Sequence, residues 1–73
     1  MIEVRTPHRT LSTHRTLARA IESARKWSRH TPESPRIAVS AELFAAMLAS
    51  GEVYQTAGGE FIDRGRQWVI ERA

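Results

Sequence analysis

The sequence predicts an α+β fold in which two helices pack on a small, mostly antiparallel sheet, with a C-terminal β meander. Two segments carry apolar residues at helical spacing, and a proline-containing connector and a short apolar run separate them. The segment that follows is rich in β-branched and aromatic residues and is interrupted by turn-forming residues. With 73 residues and no cysteine, the chain forms one small domain without disulfides.

The N-terminal segment alternates apolar and charged side chains over residues 2–6. This period of two predicts a half-buried strand that ends at Pro7. Because the segment lies at a chain terminus, where strands fray, two alternatives stay open for residues 1–10: an ordered strand, or a flexible arm in front of a folded core of residues 11–73.

The first helix is predicted from about Thr13 to Arg29, with Ser12 or Thr13 as its N-cap. Its apolar residues recur at intervals of three and four, which places them on one side of the helix. These residues are Leu17, Ala20, Ile21, Ala24 and Trp27. The opposite side carries Arg15, Arg19, Glu22, Lys26 and Arg29.

The second half of the chain begins with a stiff connector at residues 30–35, which contains two prolines, and a short apolar strand at 36–39. Ser40 then caps a helix over residues 41–50, and Gly51 ends it in the left-handed conformation. The predicted core residues of this helix are Leu43, Phe44, Met47 and Leu48.

The tail predicts three strands. The segments 52–56 and 60–63 flank a hairpin connection at 57–59, and 60–63 and 66–72 flank a turn at Arg64 and Gly65.

Charge is distributed unevenly along the chain, whose formal net charge is +3. Eight basic and three acidic residues lie in 1–36, whereas three basic and five acidic residues lie in 37–73, so the two halves carry +5 and −2. An oriented charge of this kind is typical of proteins that bind an acidic partner, either a protein surface or a nucleic acid.

No catalytic constellation is present in the sequence, and we expect neither an enzyme nor a protein with a cofactor. Asp63 is the only aspartate and lies in a predicted turn, while His8 and His14 each precede an arginine. The serines match no G-x-S-x-G pattern, and the histidines have no metal-ligand spacing. The glycines at 58–59 lack the lysine and the following helix of a phosphate-binding loop. The sequence predicts no small-molecule substrate.

The sequence also carries no stretch that predicts a signal peptide or a membrane span, because its longest uncharged apolar run, between Glu42 and Glu52, is far shorter than the ~20 residues that a spanning helix needs. The expected location is the cytoplasm.

The candidate partner-binding residues are basic and come from the N-terminal half: Arg5, Arg9, Arg15, Arg19, Lys26 and Arg29. Arg64 and Arg66, at the tip of the last predicted hairpin, are secondary candidates. The alternative interpretation of the helical residues is a solvated face, since every amphipathic helix needs one. Trp27 and Trp68 are predicted to pack in the core rather than to act as exposed anchors.

The stretch "HRTLSTHRTL" repeats four residues at 8–11 and 14–17. We interpret the two copies as lying in different structural contexts: Leu11 packs against the core after Pro7, and the second copy begins the helix.

The chain resembles the very short, cysteine-free, single-domain proteins of bacteriophages that redirect host machinery. Its length, its arginine- and alanine-rich composition with Lys26 as the only lysine, and its α+β pattern without catalytic residues carry the resemblance, which extends over the whole chain and includes no motif. It is similar in particular to small phage regulators that bind host RNA polymerase and interfere with sigma-factor engagement. Anti-CRISPR inhibitors are similar in the same way.

The predicted function is therefore that of a non-enzymatic, protein-binding regulator of bacterial RNA polymerase, acting in the host cytoplasm if a phage encodes it. Its basic residues would contact an acidic protein surface. The alternatives are an anti-CRISPR-type inhibitor and a small basic protein that binds DNA or RNA directly, in a winged-helix-like arrangement.

Overall fold

The protein has an α+β fold, as predicted, in a computed structural model that describes residues 1–65 and 68–73. In chain order the elements are β1 (Ile2–Arg5), β2 (Thr10–His14), α1 (Leu17–Trp27), β3 (Arg36–Val39), α2 (Ala41–Ser50), β4 (Val53–Gln55), β5 (Phe61–Asp63) and β6 (Ile70–Arg72).

The main sheet has four strands in the order β2-β1-β3-β6. β1 pairs antiparallel with both β2 and β3, so residues 2–5 lie in the interior of this sheet. The predicted C-terminal strands are present, and β4 and β5 form a separate two-stranded hairpin. Val69, the residue before β6, forms an isolated antiparallel bridge with Ile62 of β5, and β6 then pairs in parallel with β3. The chain therefore returns to the main sheet after α2 and the hairpin.

The start of α1 differs from the prediction. The residues expected to begin the helix, Thr13 and His14, belong to β2 instead, and the helix begins at Leu17 with Thr16 as its N-cap. The Thr16 side chain accepts a hydrogen bond from the Arg19 amide at 3.3 Å, so neither Ser12 nor Thr13 is the cap. These residues form a strand because their backbone pairs with β1, and this tertiary interaction outweighs the helical spacing of the sequence.

A β-bulge shapes the hairpin of β1 and β2. Val4 pairs with Ser12 and Arg5 with Thr10, which leaves Leu11 as the extra residue. Leu11 packs against the core, as expected, and Ser12 reaches α1 through its hydroxyl. The repeated segment at 8–17 thus spans a turn, a strand and a helix N-terminus, so its two copies do lie in different contexts.

The core lies between one face of the main sheet and a layer formed by the helices and the β4–β5 hairpin. The predicted apolar stripe of α1 faces it: Ala20 and Ala24 are fully buried, and Trp27 packs at its edge. Since alanine has the smallest side chain that is not glycine, α1 can approach the strands closely. Other fully or almost fully buried members of the core are Val4, Ile37, Val39, Met47, Val53 and Ile70.

α2 begins and ends where the sequence predicts. Ser40 accepts a hydrogen bond from the Leu43 amide at 3.1 Å, and Gly51 has a φ of 82°. Met47 is buried and Leu43 and Phe44 are half-buried, but Leu48, a predicted core residue, is 40% exposed. Leu48 lies on the side of α2 that turns away from the sheet, next to exposed alanines.

Replacing Gly51 with alanine is expected to lower the free energy of unfolding by about 1 kcal/mol, because an L-residue at this φ is strained. An added Cβ would lie 3.7 Å from Nη1 of Arg64, an ordinary contact, so the cost comes from the backbone. Urea unfolding measures it, and Gly58→Ala is the matched control because Gly58 has no positive φ. Equal losses in both variants would contradict this explanation.

Asp63 fixes the turn that follows β5. Asp63 is buried, with 3% of the residue exposed. Its carboxylate accepts a hydrogen bond from the Trp68 amide at 2.7 Å, and its backbone amide donates a hydrogen bond to the Trp68 carbonyl at 3.0 Å. These two bonds hold Trp68, which lies two residues before β6, beside the end of β5.

Asp63→Ala is therefore expected to lower the free energy of unfolding by about 1–3 kcal/mol, since it removes a buried, charge-assisted acceptor. Asp63→Asn keeps an acceptor oxygen and is expected to lose less. The comparison is made by thermal unfolding of the two variants, and a larger loss for the asparagine variant would be inconsistent with the proposed role of the hydrogen bond.

Candidate functional site

The side of α1 that faces away from the sheet is strongly basic. Arg19, Arg25, Lys26 and Arg29 are all exposed, and Glu22 lies among them. We call these four cations the α1 basic face. Two neighbouring grooves on this side share Glu22 and Lys26 in their lining, so the four cations form one continuous surface. Arg19 and Lys26 lie on one side of α1, as predicted, whereas Arg15 precedes the N-cap and Arg29 lies in the turn that follows the helix, so neither is a helix residue.

The cations of the α1 basic face have no carboxylate partners among residues 1–65 and 68–73, where the salt bridges are those of His8 with Glu33 and Arg36 with Glu71. Glu22 has the sequence spacing for pairs with Arg19 and Lys26 but forms neither. The surface therefore presents four uncompensated positive charges and one negative charge to the solvent.

The N-terminal end of α1 adds to this positive potential. Arg15 is exposed just before the N-cap, Arg19 lies in the first turn, and no acidic residue occupies that turn. The helix dipole places its partial positive charge at the same end, where cations are normally unfavourable by roughly 0.3–1 kcal/mol each. The placement of cations at the N-terminal end of a helix, against the helix dipole, is the kind of local conflict that is typical of functional surfaces.

Arg9 lies beside the C-terminal end of α1. It lies in the turn between β1 and β2, and its guanidinium carbon is 5.8 Å from the centre of the Trp27 ring. The positive charge thus stacks on Trp27, the last residue of α1, which precedes Arg29 by two residues in the sequence. Trp27 itself is half-buried and packs against the core, and so does Trp68, as predicted.

Arg5 is not part of this surface. Ile2 and Val4 of β1 face the core, so the alternating residues Glu3 and Arg5 lie on the opposite, outer face of the sheet. Arg5 is paired in register with Arg36, whose Nη1 lies 2.8 Å from Oε1 of Glu71. The hydrogen bond and the charge of Glu71 raise the pKa of Arg36. The outer face of the sheet therefore carries charges of both signs, including the Arg36–Glu71 ion pair.

The secondary candidates are also apart from the basic face. Arg64 is exposed, its amide donates to the Glu52 carbonyl at 2.8 Å, and its side chain lies beside the C-cap of α2 at Gly51. A cation at that end of a helix complements the dipole, which gives Arg64 a structural role. Arg66 lies outside the described residues.

A groove of about 480 Å³ runs between β2 and the near side of the α1 basic face. It is lined by His14, Arg19, Glu22, Ser23 and Lys26. The Ser12 hydroxyl lies 2.8 Å from the Ser23 hydroxyl and 2.8 Å from Nε2 of His14, so a chain of hydrogen bonds links β2 to α1.

The contact of Ser12 with His14 has the length found between a nucleophile and its base. In the part of the chain that the structure describes, no carboxylate is bonded to His14, and the hydroxyl is shared with Ser23. We interpret the three side chains as the link that holds the strand to the helix. Within the same residues, no three acidic or histidine side chains are grouped to hold a metal ion, and neither helix is long and apolar enough to cross a bilayer.

Three residues of this surface were not among the predicted site residues. Arg25 lies seven residues after Ala18, on an exposed flank of the helix. His14 and Ser23 line the groove because β2 lies beside α1, and no pattern within either segment indicates that neighbourhood.

The chain matches no protein-family model, and it has no significant similarity to a curated protein or to a solved structure.

Proposed function

We propose that this protein is a non-enzymatic regulator that binds an acidic surface of another protein through the α1 basic face. The observation that carries the proposal is the absence of salt bridges to these four cations within residues 1–65 and 68–73, whereas Arg36, on the outer face of the sheet, pairs with Glu71. Desolvated carboxylates of a partner would supply the missing counter-charges.

Bacterial RNA polymerase is the partner that we propose, since the resemblance to small phage regulators names it. Occupation of a functional surface of the polymerase, either sterically or allosterically, would then alter transcription. The experiment is affinity capture from a bacterial lysate at low salt, followed by mass spectrometry. We expect polymerase subunits in the eluate, and their absence would contradict the choice of partner.

A nucleic-acid partner is the second candidate, because phosphates also neutralise arginine. The order of the elements argues against a helix-turn-helix reader: residues 28–40, which include β3, separate α1 from α2, and a helix-turn-helix needs a turn of three or four residues. Glu22 in the middle of the basic face is also unfavourable for a phosphate backbone.

A mobility-shift titration with duplex DNA and with single-stranded RNA separates the two candidates. We expect no complex at ~50 mM salt, conditions in which a phosphate-binding surface would bind strongly. A complex whose affinity falls steeply as salt increases would favour the nucleic-acid alternative over the protein partner.

A further inference from the structure

The two edges of the main sheet differ in how they are protected. At one edge, β6 carries the charged residues Glu71 and Arg72. At the other edge, β2 has the sequence Thr-Leu-Ser-Thr-His and contains no proline and no permanently charged side chain. Natural proteins usually place prolines or charged side chains on an edge strand to prevent its pairing with another chain.

β2 pairs on one side only, with β1. The backbone groups on its other side have no sheet partner within residues 1–65 and 68–73. The bulge at Leu11 disturbs the first part of the strand, whereas the register from Ser12 to His14 is regular. This edge is therefore a template for one more strand.

Positive charge surrounds this edge. Arg9 and Arg15 lie directly before and after β2, and the groove beside it is lined by Arg19 and Lys26 of α1, with Glu22 as its acidic residue. A strand added to β2 would direct alternate side chains toward α1 and the others toward Thr10 and Thr13. The side chains on the α1 side would meet cations.

From this juxtaposition we infer that an extended acidic peptide segment of the partner binds along the free edge of β2, beside α1, by adding a strand to β2, with its carboxylates at alternate positions facing Arg19 and Lys26. Backbone hydrogen bonds would give affinity, and the alternate acids would give selectivity. This inference rests on the proposed function, because it assigns the partner's segment to the same basic surface.

The probe for the test is a fluorescein-labelled peptide of about eight residues that alternates valine with glutamate, since β2 extends over roughly 17 Å. Two isomers carry backbone N-methyl groups, one at all valines and the other at all glutamates. In an added strand, alternate amides point toward the protein, so only one isomer loses its hydrogen bonds to β2.

We expect the unmethylated peptide to bind, one isomer to bind similarly, and the other to bind at least roughly tenfold more weakly, because its backbone hydrogen bonds to Ser12–His14 are lost and the methyl groups collide with β2. Hydrogen exchange should slow at alternate residues of Ser12–His14 on binding. Equal affinities of the two isomers, or no binding of the unmethylated peptide, would overturn the strand addition.

The two proposals fail in different ways. Equal binding of both isomers, with loss of binding in an Arg19→Glu, Lys26→Glu variant, contradicts strand addition but leaves the α1 basic face as the binding surface. Unchanged capture of the partner by that folded variant contradicts the proposed function itself.

Discussion

Reversing two charges of the α1 basic face, in an Arg19→Glu, Lys26→Glu variant, is expected to weaken partner binding by roughly 100-fold. Each substitution replaces an attraction with a repulsion, so we expect each to cost about 1.5 kcal/mol of binding free energy. Fluorescence anisotropy with labelled protein and purified core RNA polymerase measures the change. Both residues are exposed, so the variant should remain folded.

The control for this variant changes the same net charge elsewhere. Arg5 lies on the outer face of the sheet and Arg72 on its far edge strand, so Arg5→Glu, Arg72→Glu lowers the net charge equally, from +3 to −1, since each substitution removes two units. We expect this control to bind within about threefold of the natural sequence, because distant charges are screened over ~10 Å. Similar losses in both variants would mean that binding depends on net charge and not on the α1 basic face.

Truncating Ile37 to alanine is expected to lower the free energy of unfolding by about 2–5 kcal/mol. Ile37 is fully buried in β3, between β1 and β6, so the deleted atoms leave a cavity at the centre of the sheet. Domains of this length are stabilised by only about 4–11 kcal/mol, so this single change removes much of the total. Chemical unfolding followed by circular dichroism measures the loss.

Leu48→Ala is the matched control for Ile37→Ala, because Leu48 is an aliphatic residue that is 40% exposed. Its truncation should cost less than about 1 kcal/mol. If the two variants were equally stable, the core would not lie where the structure places it.

Local signals made α2 predictable. Ser40 supplies a side-chain acceptor, Gly51 supplies the left-handed residue, and both act within one turn of the helix. β2 and β6 depend on distant partners instead. The parallel pairing of β6 with β3 joins segments more than thirty residues apart, and the polar residues of β2 form a strand because β1 lies beside them. Such pairings leave no periodic pattern within the segment.

The candidate site was predictable to the extent that it follows from helical geometry. The positions of Arg19 and Lys26 on one side depend only on the period of α1. Arg5 lies apart from them because α1 covers the opposite face of β1, and His14 lies beside them because β2 packs against α1. Neither arrangement can be predicted from the spacing of residues within a segment. Tertiary arrangement therefore decided which of the predicted basic residues lie together.

The central claim is that the α1 basic face is a binding surface rather than a solvated side of a helix. An NMR footprint of the isotope-labelled protein, titrated with the captured partner, tests it most directly. We expect the amide signals of residues 19–29 and of β2 to shift or broaden, while those of Arg36, Glu71 and the β4–β5 hairpin stay unchanged. A footprint on the outer face of the sheet or on the hairpin, with α1 unaffected, would contradict the claim.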